Sequence, residues 1–210
     1  MKFIRSKKLI FVNNKGGVGK TTLAFNTAVK FSENRIIFLG SDYFIAPLMP
    51  DAFSVQGIEN LGNTFEEWKD NWKKTARVLA KDKGIAHNKV LDGEGLFIGY
   101  VINSYNQYSK KPIKNNEEWI AKIPSYIKKY LSEKHCRNGL VEKSWKSELA
   151  LIKDFGQLSP LAWIKNKAIF NLDPIIDGFE NIKRTKENLE QSKKEFSQLS
   201  EKILKILSKY

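Results

Sequence analysis

Residues 9–22 read LIFVNNKGGVGKTT: a short apolar run, a glycine-rich segment and two threonines. The run over 9–14 predicts a buried strand, because it is short and apolar and ends in polar residues and glycine. Apolar residues recur at helical spacing from Thr21 to Ser32, which predicts a helix immediately after the glycines. A strand, a glycine-rich loop and a helix in this order form the beginning of a βαβ unit.

The segment from Lys15 to Thr22 has the residue types and the context of a phosphate-binding loop. Its glycines allow successive backbone N–H groups to turn inward around an anion, and the helix that follows adds the positive end of its dipole. Lys20 would place an ammonium against the β- and γ-phosphates of a nucleotide, and the Thr21 hydroxyl would hold Mg²⁺. The alternative is a glycine turn that only joins a strand to a helix, and the full match to the pattern disfavours it.

The spacing departs from the common G-x-x-x-x-G-K-[ST] pattern. The first glycine is absent, position 14 is Asn14, and an additional lysine, Lys15, precedes the glycine pair. In these features the segment resembles the deviant Walker A motif of the ParA, MinD and Soj group of partition and positioning ATPases. The resemblance implies that ATP is bound by the whole motif: Lys15, Gly16, Gly17, Val18, Gly19, Lys20, Thr21 and Thr22.

The resemblance also implies a role for individual residues of the motif. Lys15 and Lys20 are implied as the catalytic residues, and Lys15 would reach across a dimer interface to the nucleotide of the partner. Thr21 would bind Mg²⁺, and Thr22 would contact the α-phosphate. The implied cofactors are therefore ATP and Mg²⁺, and the implied assembly is a homodimer formed around nucleotide.

Later segments resemble the same family in the same order along the chain. Residues 41–61 are similar to the segment that follows the Walker B strand, and residues 97–103 are similar to a later strand with a G-x-V-x-N ending. Residues 152–162 and a long helix predicted over 179–209 resemble the end of the family's domain. We therefore expect a single ParA-like domain over 1–210, with a P-loop NTPase-like α/β fold in which helices flank a mostly parallel sheet and a long helix ends the chain.

Two acidic segments of the family are missing from this chain. The family has an acidic strand end after the first helix, called Walker A′, and an apolar strand that ends in aspartate, called Walker B. Residues 36–39 and 43–48 each have the pattern of a buried strand, yet parallel neighbours need a crossover of about a dozen residues. Either they form one long bent strand or a stretch of chain is absent, and we expect an internal gap near 39–42 and a reduced sheet. Asp42 is the nearby carboxylate, but it matches a family position without a catalytic role.

The composition indicates a folded, strongly basic protein. Of the 210 residues, 41% are hydrophobic, and 36 Lys and Arg against 23 Asp and Glu give a net charge of +13. Such a surplus attracts nucleic acid, anionic lipid or nucleotide phosphate, although an AT-rich genome produces the same composition without selection for binding. The lone cysteine, Cys136, excludes an internal disulfide, a multi-thiolate metal site and an iron–sulfur cluster that needs two cysteines per subunit. Without a secretory or long apolar stretch, the expected location is the cytoplasm, associated with the nucleoid.

The resemblance implies a role in plasmid or chromosome partition. The chain would act as a nucleotide-dependent dimer on non-specific DNA, together with a ParB-like adaptor protein. Complete family members hydrolyse ATP, whereas this chain lacks the Walker A′ and Walker B acids, so hydrolysis stays open. The alternative is a catalytically inactive remnant that binds DNA or a full-length homologue.

A MinD-like ATPase that cycles on a membrane is a less favoured hypothesis. It would use the apolar residues around Ile203 and Leu207 in the terminal helix, which alternate with lysines. The segments over 41–61 and 97–103 resemble ParA more closely, so a membrane partner is not expected. The simplest reading of the terminal helix is that it packs on the domain and exposes a lysine face to solvent.

Four smaller predictions concern local structure. The stripe formed by Phe65, Trp68 and Trp72 is expected to be core rather than a base-stacking platform. Pro124 marks a break or a new start in a helix, and residues 168–172 have the composition of a last short strand. Residues 103–116 are expected to form a polar loop.

Overall fold

A computed structural model gives the fold of the chain. It describes residues 9–11, 19–33, 43–83, 96–105, 107–108, 111–112, 114–132, 147–179 and 185–208. The strands are β1 (Leu9–Phe11), β2 (Tyr43–Leu48), β3 (Leu96–Tyr105), β4 (Gln107–Tyr108), β5 (Lys111–Pro112) and β6 (Glu148–Lys153). The α-helices are α1 (Lys20–Glu33), α2 (Ala52–Lys83), α3 (Lys114–Ile127), α4 (Leu158–Ile164) and α5 (Thr185–Leu207).

The main sheet has four strands in the order β1-β2-β3-β6, and every neighbouring pair is parallel. β1, α1 and β2 form the predicted βαβ unit, since β1 and β2 are parallel neighbours and α1 lies between them in the chain. All four strands therefore end at the same edge of the sheet, where parallel α/β sheets bind ligands. The predicted α/β fold with a parallel sheet is confirmed.

Helices cover both faces of the sheet, as the apolar strands require. One face packs against α1, α4 and α5, with Leu23, Phe196 and Ile203 in the core. The opposite face packs against α2 and α3, with Ile58, Ile123 and Ile127 in the core. Within the described residues, no helix is both long and apolar enough to span a membrane.

β3 changes its register at Gly99, where φ is +146°. A Cβ at this position would lie 2.6 Å from the Ser147 carbonyl oxygen and 2.7 Å from Leu149 Cγ, so a glycine is required. The irregularity places Ile98 and Val101 on the α1 face while Phe97 and Tyr100 lie on the α2 face. The strand thereby keeps large apolar side chains in both cores.

α2 is 32 residues long and begins five positions before the start at residue 57 that its pattern indicates. Asp51 Oδ1 accepts a hydrogen bond of 2.7 Å from the Ser54 N–H, which caps the first turn. Gly62 allows α2 to approach the segment after α3, because a Cβ there would lie 2.5 Å from the Tyr130 carbonyl oxygen. Phe65 packs on the core as predicted, and the side chains of Trp68 and Trp72 lie outside the described residues.

Several local predictions are corrected by the structure. α3 continues through Pro124 and passes into a π-helical segment, Lys128–Ser132, instead of breaking. Residues 168–172 form no strand: Ile169–Asn171 is a 3₁₀ turn in which Ile169 is buried. The expected polar loop after residue 103 contains the end of β3 and the small antiparallel β4–β5 pair.

α5 lies on the domain with its apolar face inward. Phe196, Leu199, Ile203 and Leu207 are buried, and Leu204 and Ile206 are partly buried against the same core. The lysines along α5, Lys186, Lys193, Lys194, Lys202 and Lys205, are exposed. This is the simplest arrangement expected for the terminal helix, which the structure describes over Thr185–Leu207, whereas residues 180–184 of the predicted helix lie outside the described residues.

Candidate nucleotide-binding site

Gly19 forms the turn that leads into α1. Its φ is +80°, and its carbonyl oxygen accepts the first helical hydrogen bond from the Leu23 N–H at 2.8 Å. A Cβ at Gly19 would collide with the side-chain amide of Asn103. The positive φ therefore favours a glycine at this position, and the absence of a Cβ lets the Asn103 amide lie close to the turn.

Lys20, Thr21 and Thr22 follow as the first residues of α1, with Thr21 exposed and the other two half-buried. The first turn of α1 contains no acidic residue, so the positive end of the helix dipole is not neutralised by its own side chains. Free N–H groups at such an end fit the oxygens of a phosphate. The remaining predicted site residues, Lys15, Gly16, Gly17 and Val18, lie outside the described residues.

Asn103 is a site residue that the sequence did not assign. It is buried at the carboxyl end of β3, where its Nδ2 donates a hydrogen bond of 3.0 Å to Ser104 Oγ. Ser104 has a φ of 57°, and the pairing of β3 with β6 shifts at this point. The strand end is thus shaped so that the Asn103 amide lies against Gly19 of the loop. The G-x-V-x-N ending marked this residue in the sequence, but its contact is made only by the fold.

The described part of the chain provides no cluster of side chains that could bind Mg²⁺ apart from the start of α1. No group of three His, Cys, Asp or Glu residues in it is placed to hold a metal ion. Asp51, a carboxylate just after β2, is engaged as the cap of α2. Asp42 lies outside the described residues. If Mg²⁺ binds with a nucleotide, Thr21 is the described residue that would hold it, together with the phosphate oxygens.

A small cleft of about 40 Å³ lies between α1 and the segment that contains α4. Thr22 and Asn26 line it from α1, while Ser159, Trp163 and Asn166 line it from the other side. Asn26 joins the two walls, because its Oδ1 accepts a hydrogen bond of 2.9 Å from the buried Ile169 N–H. The same side chain donates through Nδ2 to the Thr22 carbonyl oxygen at 2.7 Å.

Lys167, a further residue of the cleft wall, is paired with Asp177. Its Nζ lies 2.8 Å from Oδ1 and 2.9 Å from Oδ2 of that carboxylate. The Asp173 N–H and the Lys167 ammonium both donate to Asp177, and they hold its pKa below the ordinary value. The charge of Lys167 is therefore balanced by a fixed partner.

Comparison with known families agrees with this geometry at the level of class. Residues 7–73 match the family model described as anion-transporting ATPase, a P-loop ATPase family related to ParA and MinD. The matched region covers about a third of the chain and includes β1, the whole Lys15–Thr22 motif, α1 and β2. The match does not distinguish a ParA from its relatives. No curated protein and no solved structure matches the chain.

Proposed function

We propose that this protein binds Mg²⁺ and ATP at Lys15–Thr22 and acts as a ParA-like partition protein. The observation that carries the proposal is the turn at Gly19, which presents an acid-free helix N-terminus at the carboxyl edge of a parallel sheet. The residues there have the phosphate-loop sequence, and they lie within the region that matches a P-loop ATPase family. The anion-transporting, MinD and ParA classes share this loop. The later segments over 41–61 and 97–103 resemble ParA more closely than MinD.

The described residues bind and orient the triphosphate. The N–H groups at the start of α1 would donate to phosphate oxygens, and the Lys20 ammonium would balance the charge of the β- and γ-phosphates. The Asn103 amide holds the Gly19 turn in place from the neighbouring strand. When bound, Mg²⁺ would balance the phosphate charge, and the Thr21 hydroxyl would be one of its ligands.

Hydrolysis separates two versions of this function. A complete ParA uses the Walker A′ and Walker B acids, and the described residues contain no comparable acid cluster. The second candidate is therefore an inactive remnant that binds nucleotide or DNA without turnover. Phosphate release measured with and without DNA distinguishes the two, and turnover that disappears in Lys20→Ala would rule out the remnant.

We also propose a homodimer on non-specific DNA, with a ParB-like adaptor, at the nucleoid. The net charge of +13 and the exposed lysines of α5 support contacts to phosphate rather than to bases. A dimer that forms around nucleotide would bind DNA more tightly with ATP, and its affinity would fall steeply with salt. DNA binding that does not depend on ATP would favour the remnant instead.

Thermal unfolding with and without Mg²⁺ and ATP tests the nucleotide site. A ligand that binds only the folded state stabilises it by about 2.7 kcal/mol at 100 times its Kd. We expect the melting temperature of the wild type and of Lys205→Ala to rise with ATP, because Lys205 is exposed at the far end of α5. Lys20→Ala should melt cooperatively without any rise. A wild type that shows no rise would end the proposal.

A further inference from the structure

Large apolar side chains that are exposed to solvent are concentrated in one short stretch of the described chain. Trp163 and Ile164, the last two residues of α4, are 70% and 75% exposed. Ile175 and Ile176 are both 76% exposed, in the turn that follows the 3₁₀ segment. A single exposed apolar residue such as Phe53 is normal on a protein surface, whereas neighbouring ones mark a contact with a partner. We call Trp163–Ile164 and Ile175–Ile176 the two apolar pairs.

The turn that carries the second apolar pair satisfies its own backbone. Asp173 Oδ1 accepts hydrogen bonds from the N–H groups of Ile175 and Ile176, at 2.9 and 3.0 Å. The Asp177 N–H donates to the Asp173 carbonyl oxygen at 2.9 Å. The two isoleucines can therefore enter an apolar medium without leaving these N–H groups unpaired, which is the condition that a lipid phase imposes on a backbone.

An ion pair joins this turn to the residues after α4. Lys167 Nζ donates to both carboxylate oxygens of Asp177, at 2.8 and 2.9 Å. Asp177 Oδ2 also accepts a hydrogen bond of 2.9 Å from the Asp173 N–H. These bonds hold the two apolar pairs in a fixed arrangement and balance the charge of Lys167. Lys165, which directly follows the first pair, is an exposed cation.

The segment with the apolar pairs lies on the same face of the sheet as α5. Phe170 contacts Phe196 of α5, with ring centroids 5.9 Å apart, and both segments contribute to one core. The exposed charged residues of α5 are five lysines, Lys186, Lys193, Lys194, Lys202 and Lys205, and three glutamates, Glu187, Glu190 and Glu201. With the net charge of +13, this face has the sign that an anionic lipid surface attracts.

The shape of the exposed side chains also fits a lipid surface. Side chains that are about three-quarters exposed protrude from the fold instead of forming a flat or concave face. A bilayer is deformable and surrounds such protrusions, and a tryptophan is favoured at its interface. The apolar residues of α5 itself are not available for insertion, because Ile203 and Leu207 are buried in the core.

We propose that the two apolar pairs insert into the interface of an anionic membrane, while Lys165 and the lysines of α5 contact the lipid headgroups. This contact differs from the one that the terminal helix suggested, in which Ile203 and Leu207 would insert. It uses none of the residues of Lys15–Thr22 and does not rest on the proposed nucleotide site. DNA would contact the same lysines of α5 but not the apolar pairs, so the two surfaces can be separated by mutation.

Sedimentation with vesicles tests the inference. The vesicles contain phosphatidylglycerol mixed with phosphatidylcholine, or phosphatidylcholine alone, and the wild type should bind the anionic mixture more tightly. Ile175→Ser/Ile176→Ser and Trp163→Ser/Ile164→Ser should each weaken that binding about tenfold or more, because each removes two apolar side chains from the lipid phase. Both double variants should melt like the wild type and bind DNA with the same affinity, since the altered side chains are exposed. Phe53→Ser is the control and should bind vesicles like the wild type.

A spectroscopic measurement distinguishes insertion from adhesion by charge alone. Lipids with brominated acyl chains should quench the wild-type tryptophan fluorescence, and Trp163→Phe should still bind these vesicles but lose most of the quenching. A wild type that stays in solution with anionic vesicles would overturn the inference. Double variants that bind the vesicles like the wild type, or an equal loss in Phe53→Ser, would overturn it as well. If the wild type ignores vesicles and instead forms a dimer that Ile175→Ser/Ile176→Ser abolishes, the surface belongs to a second copy of the chain and the membrane contact is refuted.

Discussion

The two faces of the sheet are packed by different kinds of interaction. On the α2 and α3 face, buried isoleucines, leucines and aromatic rings form the contact, and the buried Ser54 belongs to a helix cap. On the α1 and α5 face, two buried polar side chains join separate elements: Asn26 accepts a hydrogen bond from the Ile169 N–H, and Glu195 accepts one from the Lys153 N–H. The face that carries the candidate site is thus held by directional bonds as well as by apolar burial. Directional bonds fix the relative position of α1 and its neighbours, and a binding site needs that precision more than a core does.

Ile127→Ala should give the largest loss of stability, because the α2 and α3 face depends on packing. Ile127 is fully buried, and truncation leaves a cavity that costs about 2–5 kcal/mol. Urea unfolding followed by circular dichroism measures this loss. Ile120→Ala on the same helix is the control and should cost less, since Ile120 is only half-buried. A smaller loss in Ile127→Ala than in Ile120→Ala would show that this face is not held by packing.

Asn26→Ala tests the bonds of the opposite face. The change leaves the buried Ile169 N–H without its acceptor at 2.9 Å, and an unpaired buried group costs about 1–3 kcal/mol. It also releases the 3₁₀ turn from α1, so the affinity for Mg-ATP should fall along with the free energy of unfolding. Asn60→Ala, at an exposed position of α2, should change neither quantity. Unchanged stability in Asn26→Ala would mean that apolar contacts alone hold this face.

The sequence predicted the parts of the fold that depend on local pattern. The apolar runs of β2 and β3 and the helical spacing of α1 each identify one element without knowledge of its neighbours. Residues 168–172 were predicted wrongly, because Ile169 and Leu172 are buried in a 3₁₀ turn and carry the same apolar composition as a strand. Pro124 was expected to mark a break or a new start, but α3 continues through it to Ile127.

The candidate site was predictable only where its residues are contiguous. Gly19, Lys20 and Thr22 follow one another, so their pattern revealed them. Asn103 comes from a strand far along the chain, and the sheet brings it to Gly19. The G-x-V-x-N ending marks Asn103 in the sequence, but its contact with Gly19 is created by tertiary structure.

Thr27→Val should make the polar face slightly more stable. The Thr27 hydroxyl on α1 is buried, and its oxygen has no hydrogen-bond partner among the described residues. Replacement by a methyl group of similar shape removes the desolvation cost of that hydroxyl, for a gain of about 1 kcal/mol in the free energy of unfolding. Ser192→Ala is the control and should lose stability, since the buried Ser192 hydroxyl donates a hydrogen bond of 2.7 Å to the Leu189 carbonyl oxygen. A loss in both variants would show that the Thr27 hydroxyl contributes to folding.

At neutral pH, replacement of Glu195 should change the free energy of unfolding least among these substitutions, and its effect should depend on pH. Its Oε2 accepts a hydrogen bond of 3.1 Å from the Lys153 N–H, and its Oε1 accepts one of 2.8 Å from Gln191 Nε2. Burial raises the pKa of this carboxyl, although those two bonds and the charges of Lys153 and Lys194 act in the opposite direction. The folded state therefore holds the Glu195 proton more tightly than the unfolded state does.

Because the pKa of Glu195 is higher in the folded state than in the unfolded state, the protein loses stability as pH rises through the folded-state pKa. It regains that stability as pH falls. Glu195→Gln removes the ionisation and keeps a neutral acceptor for the Lys153 N–H. We expect the variant to be up to about 1 kcal/mol more stable than the wild type at pH 7, on the scale of one hydrogen bond. The difference should shrink on acidification, as measured by urea unfolding at several pH values. Glu190→Gln, at an exposed position of α5, should show no such trend. A difference for Glu195→Gln that grows toward low pH would mean that the charges of Lys153 and Lys194 outweigh burial, and that the polar face is held by ion pairing.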